Sequence, residues 1–420
     1  MFFKATKNYM NILIINHYAG SDVHGMEYRP HYMGVELVKA GHKVTIVASS
    51  FSHVRAKNPV FKGFYNVEVK SGTKYFWLKS FSYKGNGIGR FINIFSFLLN
   101  LLIHARMIAM NTRPDVVINS STYPMDIWPA KYISKISNAK LIFELHDLWP
   151  LSPIAIGGMS KRHPFIRLCQ YAENTIYSNV DGVISLLPMV HKYVYSKGIT
   201  PSKLLILPNG YSSLISEDIP SEPLRSDIRE FITKAKEHDK VLVAYAGSLG
   251  IANSIDNLIN AAKILDSTKY SFVIVGSGHE QERLLKRLKD EGIANFGIFA
   301  PIPKSQVSLL LKSADIGYLG APKFPLYKYG VSQNKLIDYM INRLPVLNAT
   351  EAGNNLIKQV GCGFTIVPEN AQILANTLIK FTSLSEQDRI KLGNNGYEYA
   401  LEHMNYQSLA SRMASFLEAL

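Results

Sequence analysis

Short, continuously apolar runs recur along this chain, and between them apolar positions return every three or four residues. The first unit is NILIIN (11–16), the loop HYAGSDVHGMEYRPHY, a helical run from Met33 to Lys39, and VTIVAS (44–49). Runs of this length read as strands buried on both faces, and the longer spacing as helices packed against them. Further strands are predicted at PDVVINSS (114–121), AKLIFELHD (139–147), DGVISLL (181–187) and KLLILP (203–208). The turn Asn209-Gly210 and a polar stretch over 211–240, with Pro220 and Pro223, interrupt the series. It resumes with strands at VLVAYAG (241–247), YSFVIVG (270–276), ANFGIFA (294–300) and DIGYLG (315–320). Helices fall at 254–265, 279–291 and 304–313, a further one begins inside GVSQNKLIDYMINRLPV (330–346), and 371–420 is helical. Regular strand-helix alternation predicts the α/β class, with two Rossmann-like domains built on parallel sheets. The expected boundaries are 1–210 and 211–403, with residues 1–10 an extension and a last helix at about 404–420.

Two stretches break this rhythm. Residues 51–90 read as irregular, basic and aromatic. Then FINIFSFLLNLLIHARMIAM (91–110) is the strongest apolar run and about as long as a membrane span. Asn93, Asn100, His104 and Asn111 fall on one helical stripe of it, leaving a broad apolar surface around the rest. A packed helix, a helix at the bilayer interface and a transmembrane helix all stay open.

Composition narrows the class. At 420 residues the chain exceeds one core, and 47% apolar with 19% charged residues excludes a disordered polymer. Two cysteines, Cys169 and Cys362, cannot form a disulfide framework and suggest a reducing compartment. MFFKATKNYM (1–10) lacks the apolar core of a signal peptide. The net charge of +14 lies entirely in residues 1–210, which hold 24 Lys or Arg against 10 Asp or Glu. Residues 211–420 are balanced at 22 each. A one-sided excess implies an anionic partner for that half, either acidic lipid headgroups or a phosphorylated acceptor. Nucleic acid is not expected, since no recognition motif and no aromatic-basic repeat accompanies the charge.

Candidate chemistry clusters at the C-terminal ends of predicted strands, where open α/β sheets bind ligands. After the first strand stand Gly25, Glu27 and Arg29, read either as a ligand loop or as a solvated ion pair. Their spacing is not G-x-G-x-x-G, which argues against a nicotinamide enzyme. His146 and Asp147 end the 139–147 strand, where a histidine can hold a hydroxyl or carry a proton, or simply be satisfied near the loop. Gly247-Ser248 and Gly276-Ser277-Gly278 close strands in the second half, and small residues there let a phosphate approach backbone N–H groups. At 330–338 a turn at Gly330 leads through Val331 and Ser332 to a helix start carrying Lys335 and, three residues on, Asp338. A helix N-terminus with a cation and a carboxylate suits a nucleoside diphosphate sugar; a surface ion pair on a capped helix is the alternative. No metal-ligand cluster, Asp-x-Asp pair or G-x-S-x-G elbow occurs.

Taken together, DVVINSS, FELHDLWPLSP, DGVISLLP, YAGSLG, VGSGHEQERLL and GVSQNKLIDYM…LPV resemble the retaining GT-B glycosyltransferases of family 4, from Asn11 onward. Within that family HYAGSDVHGMEYRP and HDLWPLSP look most like enzymes of bacterial capsule and O-antigen assembly, including those transferring L-fucosamine-type sugars. The resemblance implies two Rossmann-like domains facing across a cleft, with the last helix crossing back to the first domain. It places a nucleotide sugar, as UDP-linked N-acetylated amino sugar, on the C-terminal domain. A lipid-diphosphate-linked saccharide acceptor would meet the N-terminal domain, on a protein peripheral to the cytoplasmic face of the plasma membrane.

By the same resemblance Asp338 takes the second place of the family's paired-glutamate motif and would bind ribose hydroxyls. The first place is Gly330, which carries no carboxylate, so donor-sugar contacts fall to the N–H groups of Val331 and Ser332. Lys335 would face the diphosphate, with Gly247, Ser248, Gly276 and Gly278 around it. Ser248 to Asn253 stand where many members carry Arg and Lys, which raises the weight on Lys335 and makes Arg29 a helper. His146 matches the histidine near the donor sugar, and Gly25 the N-terminal glycine loop. No metal or cofactor is expected, since Lys335, a helix dipole and N–H groups can stabilise the departing phosphate. A catalytically degenerate scaffold and a nucleotide-sugar epimerase on the same fold remain the alternatives.

Overall fold

The computed structural model describes residues 9–25, 27–84, 87–212 and 222–420. Residues 1–8 of the expected extension, and 213–221 of the polar stretch after Gly210, lie outside them. The chain divides into unit 1, Met1–Gly210 with Tyr406–Leu420, and unit 2, Tyr211–Asn405.

Unit 1 holds β1 (Asn11–Ile15), β2 (Lys43–Ser49), β3 (Tyr65–Lys70), β4 (Thr73–Leu78), β5 (Val116–Asn119), β6 (Lys140–Leu145), β7 (Gly182–Ser185) and β8 (Leu204–Ile206). They form one sheet in the order β3-β4-β2-β1-β5-β6-β7-β8, parallel except at β3. Its helices are α1 (Arg29–Lys39), α2 (Ile88–Thr112), α3 (Ile127–Ser137), α4 (Leu151–Ala155), α5 (Pro164–Tyr177) and α6 (His191–Ser196). The sheet centre is continuously apolar: Ile12 to Ile15 are buried and pair with Val44 to Val47 on one side and Val116 to Asn119 on the other.

Unit 2 holds β9 (Val241–Ala246), β10 (Tyr270–Val275), β11 (Phe296–Phe299), β12 (Ile316–Gly320), β13 (Val346–Ala349) and β14 (Gly363–Thr365). Their order is β11-β10-β9-β12-β13-β14, all parallel. Around it lie α7 (Ser226–Glu237), α8 (Ile255–Ile264), α9 (Gln281–Asp290), α10 (Lys304–Ser313) and α11 (Asn334–Ile341). They are followed by α12 (Leu356–Val360), α13 (Ala371–Thr382) and α14 (Glu386–His403). Two apolar layers pack on the sheet: Leu258, Leu284 and Leu378 on one side, Ile228, Leu311 and Met340 on the other. This is the doubly wound order of a Rossmann sheet, and its chain reversal point, where ligands bind, lies between β9 and β12. In unit 1 the same point lies between β1 and β5. The last helix, α15 (Tyr406–Ala419), belongs to unit 1, where Tyr32 of α1 meets Tyr406 and Arg412 donates to the Ile206 carbonyl.

One expectation is corrected. The 51–90 stretch is not irregular throughout, because β3 and β4 form an antiparallel hairpin around Ser71-Gly72. Both turn residues have positive φ, 47° and 80°, the handedness that a two-residue hairpin needs. In α2 two of the four stripe residues turn to the protein interior, while His104 is half-buried and Asn111 exposed. Asn93 is buried, accepts from His17 Nε2 at 2.7 Å and donates to the Phe81 carbonyl at 2.7 Å. Asn100 donates to the carbonyls of Phe64 and Lys79. Burial brings His17 down to about 3, so it is neutral and bridges Asn93 to the Tyr123 hydroxyl. Length and composition alone would let α2 cross a bilayer, and on its inner side Phe97, Leu101 and Ile108 are part of the unit 1 core.

Candidate active site

The candidate donor side forms at the reversal point of unit 2. α11 starts after a loop that opens at Gly330, whose φ of 85° suits glycine. Its first-turn N–H groups have no acceptor within the helix. From that turn Lys335 reaches back over the end of β9. Its ammonium donates to Asn253 Oδ1 at 2.9 Å and sits 5.3 Å from the Tyr245 ring centre. Tyr245 in turn donates to the Ser248 carbonyl at 2.7 Å, and Asn253 donates to Ser248 Oγ, so the turn after β9 is held as a unit. Burial lowers the Lys335 pKa, opposed by the charge of Asp338. Among the described residues no carboxylate forms an ion pair with Lys335.

The i,i+3 pair of Lys335 with Asp338 is therefore not formed. Asp338 turns to Lys304 of α10, whose ammonium reaches both carboxylate oxygens at 2.6 Å. The expected use of Val331 also needs correction: its N–H donates to Asn354 Oδ1 at 2.8 Å, and its carbonyl accepts from the same side chain. Ser332 lies on the loop just before α11.

Gly276 and Gly278 are explained by the close approach of backbone to backbone. A Cβ at Gly276 would collide with the Gly247 carbonyl oxygen, and one at Gly278 with that of Leu249. The N–H of Gly247 donates to Val275 and that of Gly276 to Phe299, so neither amide is left for a phosphate in this structure. Gly247 does serve Lys335: a Cβ there would strike its Cε. Ser248 is exposed at the rim. Beside this turn a cavity of about 280 Å³ is lined by Gly250, Ser254, Asn257, Glu280, Arg283 and Glu369. Its carboxylates and amides suit neutral hydroxyl-bearing groups better than anions.

In unit 1 the candidates separate into two roles. Gly25 has a φ of 87°, and its N–H donates to Ser21, closing the loop after β1. Glu27 is half-buried just before α1, with its N–H on the Tyr18 carbonyl. Arg29 is not a solvated or phosphate-facing cation. It is buried, its Nε and Nη2 donate to Glu144 Oε1 at 3.0 and 2.9 Å, and the carbonyls of Leu207 and Pro208 take further N–H groups. Burial pushes the Glu144 carboxyl up, but Arg29, His146 and Ser120 together hold it well below the usual range. His146 stands at the end of β6, Nε2 at 3.2 Å from Glu144 Oε2 and 3.1 Å from Ser120 Oγ. With Nε2–H given to the carboxylate, Nδ1 is the basic nitrogen. Asn16 ties the end of β1 to Ser120.

Glu144, Ser120, Asn253 and Lys304 were not singled out from sequence. Only Glu144 carried a signal, as a lone carboxylate inside the apolar run LIFEL. The other three act through contacts with residues far along the chain.

With this geometry in hand, residues 23–213 match the profile of Glycosyltransferase Family 4 and residues 227–399 that of Glycosyl transferases group 1. The chain thus carries a family 4 glycosyltransferase domain followed by a group 1 domain, in the GT-B fold class. It is similar to the probable glycosyltransferase WbjE of Pseudomonas aeruginosa, 20% identical over 321 residues, covering 74% of this chain and 77% of that one. It also resembles the putative colanic acid biosynthesis glycosyl transferase WcaI of Escherichia coli K12, 22% identical over 192 residues, 44% of this chain and 45% of that one. Among solved structures, Anabaena HepE in complex with UDP-glucose aligns with a TM-score of 0.64 at 14% identity, covering 97% of this chain and 100% of that one. At that identity the likeness is one of fold.

Proposed function

We propose that the protein is a retaining, metal-independent glycosyltransferase of surface polysaccharide assembly. It takes a sugar from a UDP-linked donor, an N-acetylated amino sugar, and passes it to a lipid-diphosphate-linked saccharide at the cytoplasmic face of the membrane. The observation that carries this reading is Lys335. Its ammonium lies over the turn after β9, bonded to Asn253 and unpaired with any described carboxylate, beside the start of α11. A half-buried cation without a counter-charge is a seat for an anion, and a diphosphate leaving group brings the negative charge it lacks. A relative named for colanic acid biosynthesis and a fold neighbour in complex with UDP-glucose support this reading.

In the donor half, Lys335 and the helix dipole would stabilise the departing β-phosphate, and Asp338, steadied by Lys304, would accept ribose hydroxyls. In the other half, His146 is oriented by Glu144 and Ser120 to hold a sugar hydroxyl through Nδ1. Unit 1 carries the basic excess that favours an anionic acceptor and an anionic membrane surface.

The missing carboxylate at Gly330 and the occupied Val331 amide favour, as a second reading, a binding protein that holds donor without turnover. A thermal-shift panel of UDP, GDP, ADP and UDP-sugars tests the first part: binding raises the midpoint in proportion to affinity. UDP compounds are expected to shift the wild type, and Lys335→Ala to lose that shift with an unchanged baseline midpoint. No shift with any nucleotide overturns the proposal. A UDP shift without sugar transfer to lipid-linked saccharide selects the second reading.

A further inference from the structure

We propose that the outward face of α2, joined to the exposed end of β3, beds into the headgroup and upper acyl layer of an anionic bilayer. This deepens the membrane contact proposed above and does not depend on the transfer reaction.

The burial of Asn93 and Asn100 on α2 has an outward counterpart. Ile88, Ile92, Phe95, Leu99 and Ile103 recur every three or four residues along the side left to solvent, and Met110 follows two turns further on. Ile88 is 78% exposed, Leu99 61%, Ile103 66% and Met110 67%. The stripe runs about 33 Å, at about 1.5 Å per residue. A surface helix of a soluble domain ordinarily shows the reverse arrangement, and contiguous exposed apolar stripes mark interaction sites.

The stripe continues onto β3. The ring of His104 on α2 lies 5.4 Å from that of Tyr65, and Asn100 fixes the Phe64 carbonyl beside it. Phe64, Tyr65, Val67 and Val69 are all exposed.

The charge frame selects the occupant. Residues 51–113 contain ten Lys or Arg, nine of them half-buried or exposed and Arg55 buried, and one carboxylate, Glu68, which is already bonded to Trp77 Nε1. Lys79 lies over the Phe64 ring, and Arg106 falls within the apolar stripe itself. Long basic side chains among exposed apolar ones suit an interface where stems sit in acyl chains and heads reach lipid phosphates. A protein partner would have to match this frame with a surface of opposite charge and apolar shape, whereas an anionic bilayer offers both.

The test uses the full chain and vesicles of phosphatidylcholine alone or mixed equally with phosphatidylglycerol. Flotation with the mixed vesicles is expected, with weaker binding to the neutral ones and only partial release by salt. The exposed double variant Leu99→Glu/Ile103→Glu should lose binding about ten-fold while keeping its unfolding midpoint and its thermal shift with UDP. Leu99→Trp should show blue-shifted emission that brominated acyl chains quench. The proposal is overturned if the double variant floats like wild type, or if Leu99→Trp is unquenched. A wild type that ignores vesicles but changes from dimer to monomer in the double variant overturns it in favour of a second copy. The UDP shift reads the donor site in every arm, so a failure here is separable from a failure of the proposed function.

Discussion

Arg29 shows how far a local reading can miss. Next to Glu27 at a helix start it reads as a surface cation, yet α1 carries it into the core, where it meets Glu144 from β6. Sequence distance hid this, since the partners lie 115 residues apart. Removing one partner of a buried pair leaves the other charge uncompensated, so Arg29→Met should cost about 3–5 kcal/mol at neutral pH. The sign with pH follows from Glu144. Its folded pKa is held below the ordinary 4.5, so the stability it contributes is present above that value and lost as pH falls below it. In Arg29→Met burial acts on the carboxyl unopposed by the guanidinium, and protonation relieves the variant. The gap between wild type and variant should therefore narrow as pH drops through the ordinary carboxylate range, read from urea midpoints across pH. Lys335 fared better in the sequence reading, because its place on a helix start is a local property. The alternative, a surface ion pair with Asp338, does not form: Asn253 receives the ammonium and Asp338 turns to Lys304.

At the scale of elements, strands and helices were legible wherever periodicity and length agreed. Helix 304–313 and the βα alternation of the second half were read almost to the residue. The β3–β4 hairpin was missed because its basic and aromatic composition masked the alternation in YNVEVK and the Ser71-Gly72 turn. The turns after β9 and β10 were found, but their glycines were given to a ligand when the close approach is of one turn to the other. That distinction is testable. Gly276→Ala drives a Cβ into the Gly247 carbonyl, and backbone cannot rotate away as a side chain can. Such overpacking should destabilise by about 1–3 kcal/mol even without nucleotide, seen as a lowered thermal midpoint of the apo protein. For α2, the period was clear from sequence but its inside and outside were not, because burial of Asn93 and Asn100 depends on carbonyls that distant loops present.

At the scale of the molecule, the charge asymmetry was countable from sequence and coincides with unit 1, whereas unit 2 is balanced. The chain is not divided in simple succession, because α15 leaves unit 2 behind and completes unit 1. Phe416 and Leu420 lie against Gly182, where even one added carbon would collide, and the Tyr406 ring packs tilted on that of Tyr32. Removing residues 406–420 should therefore lower the unfolding midpoint of unit 1 and leave that of unit 2 in place, read by hydrogen exchange in β1 and β9 respectively. The same arrangement sets a schedule during translation. The ribosome delivers all of unit 2 between the body of unit 1 and the helix that seals it, so the earlier half must wait, with one flank of α1 uncovered, until the later half has emerged.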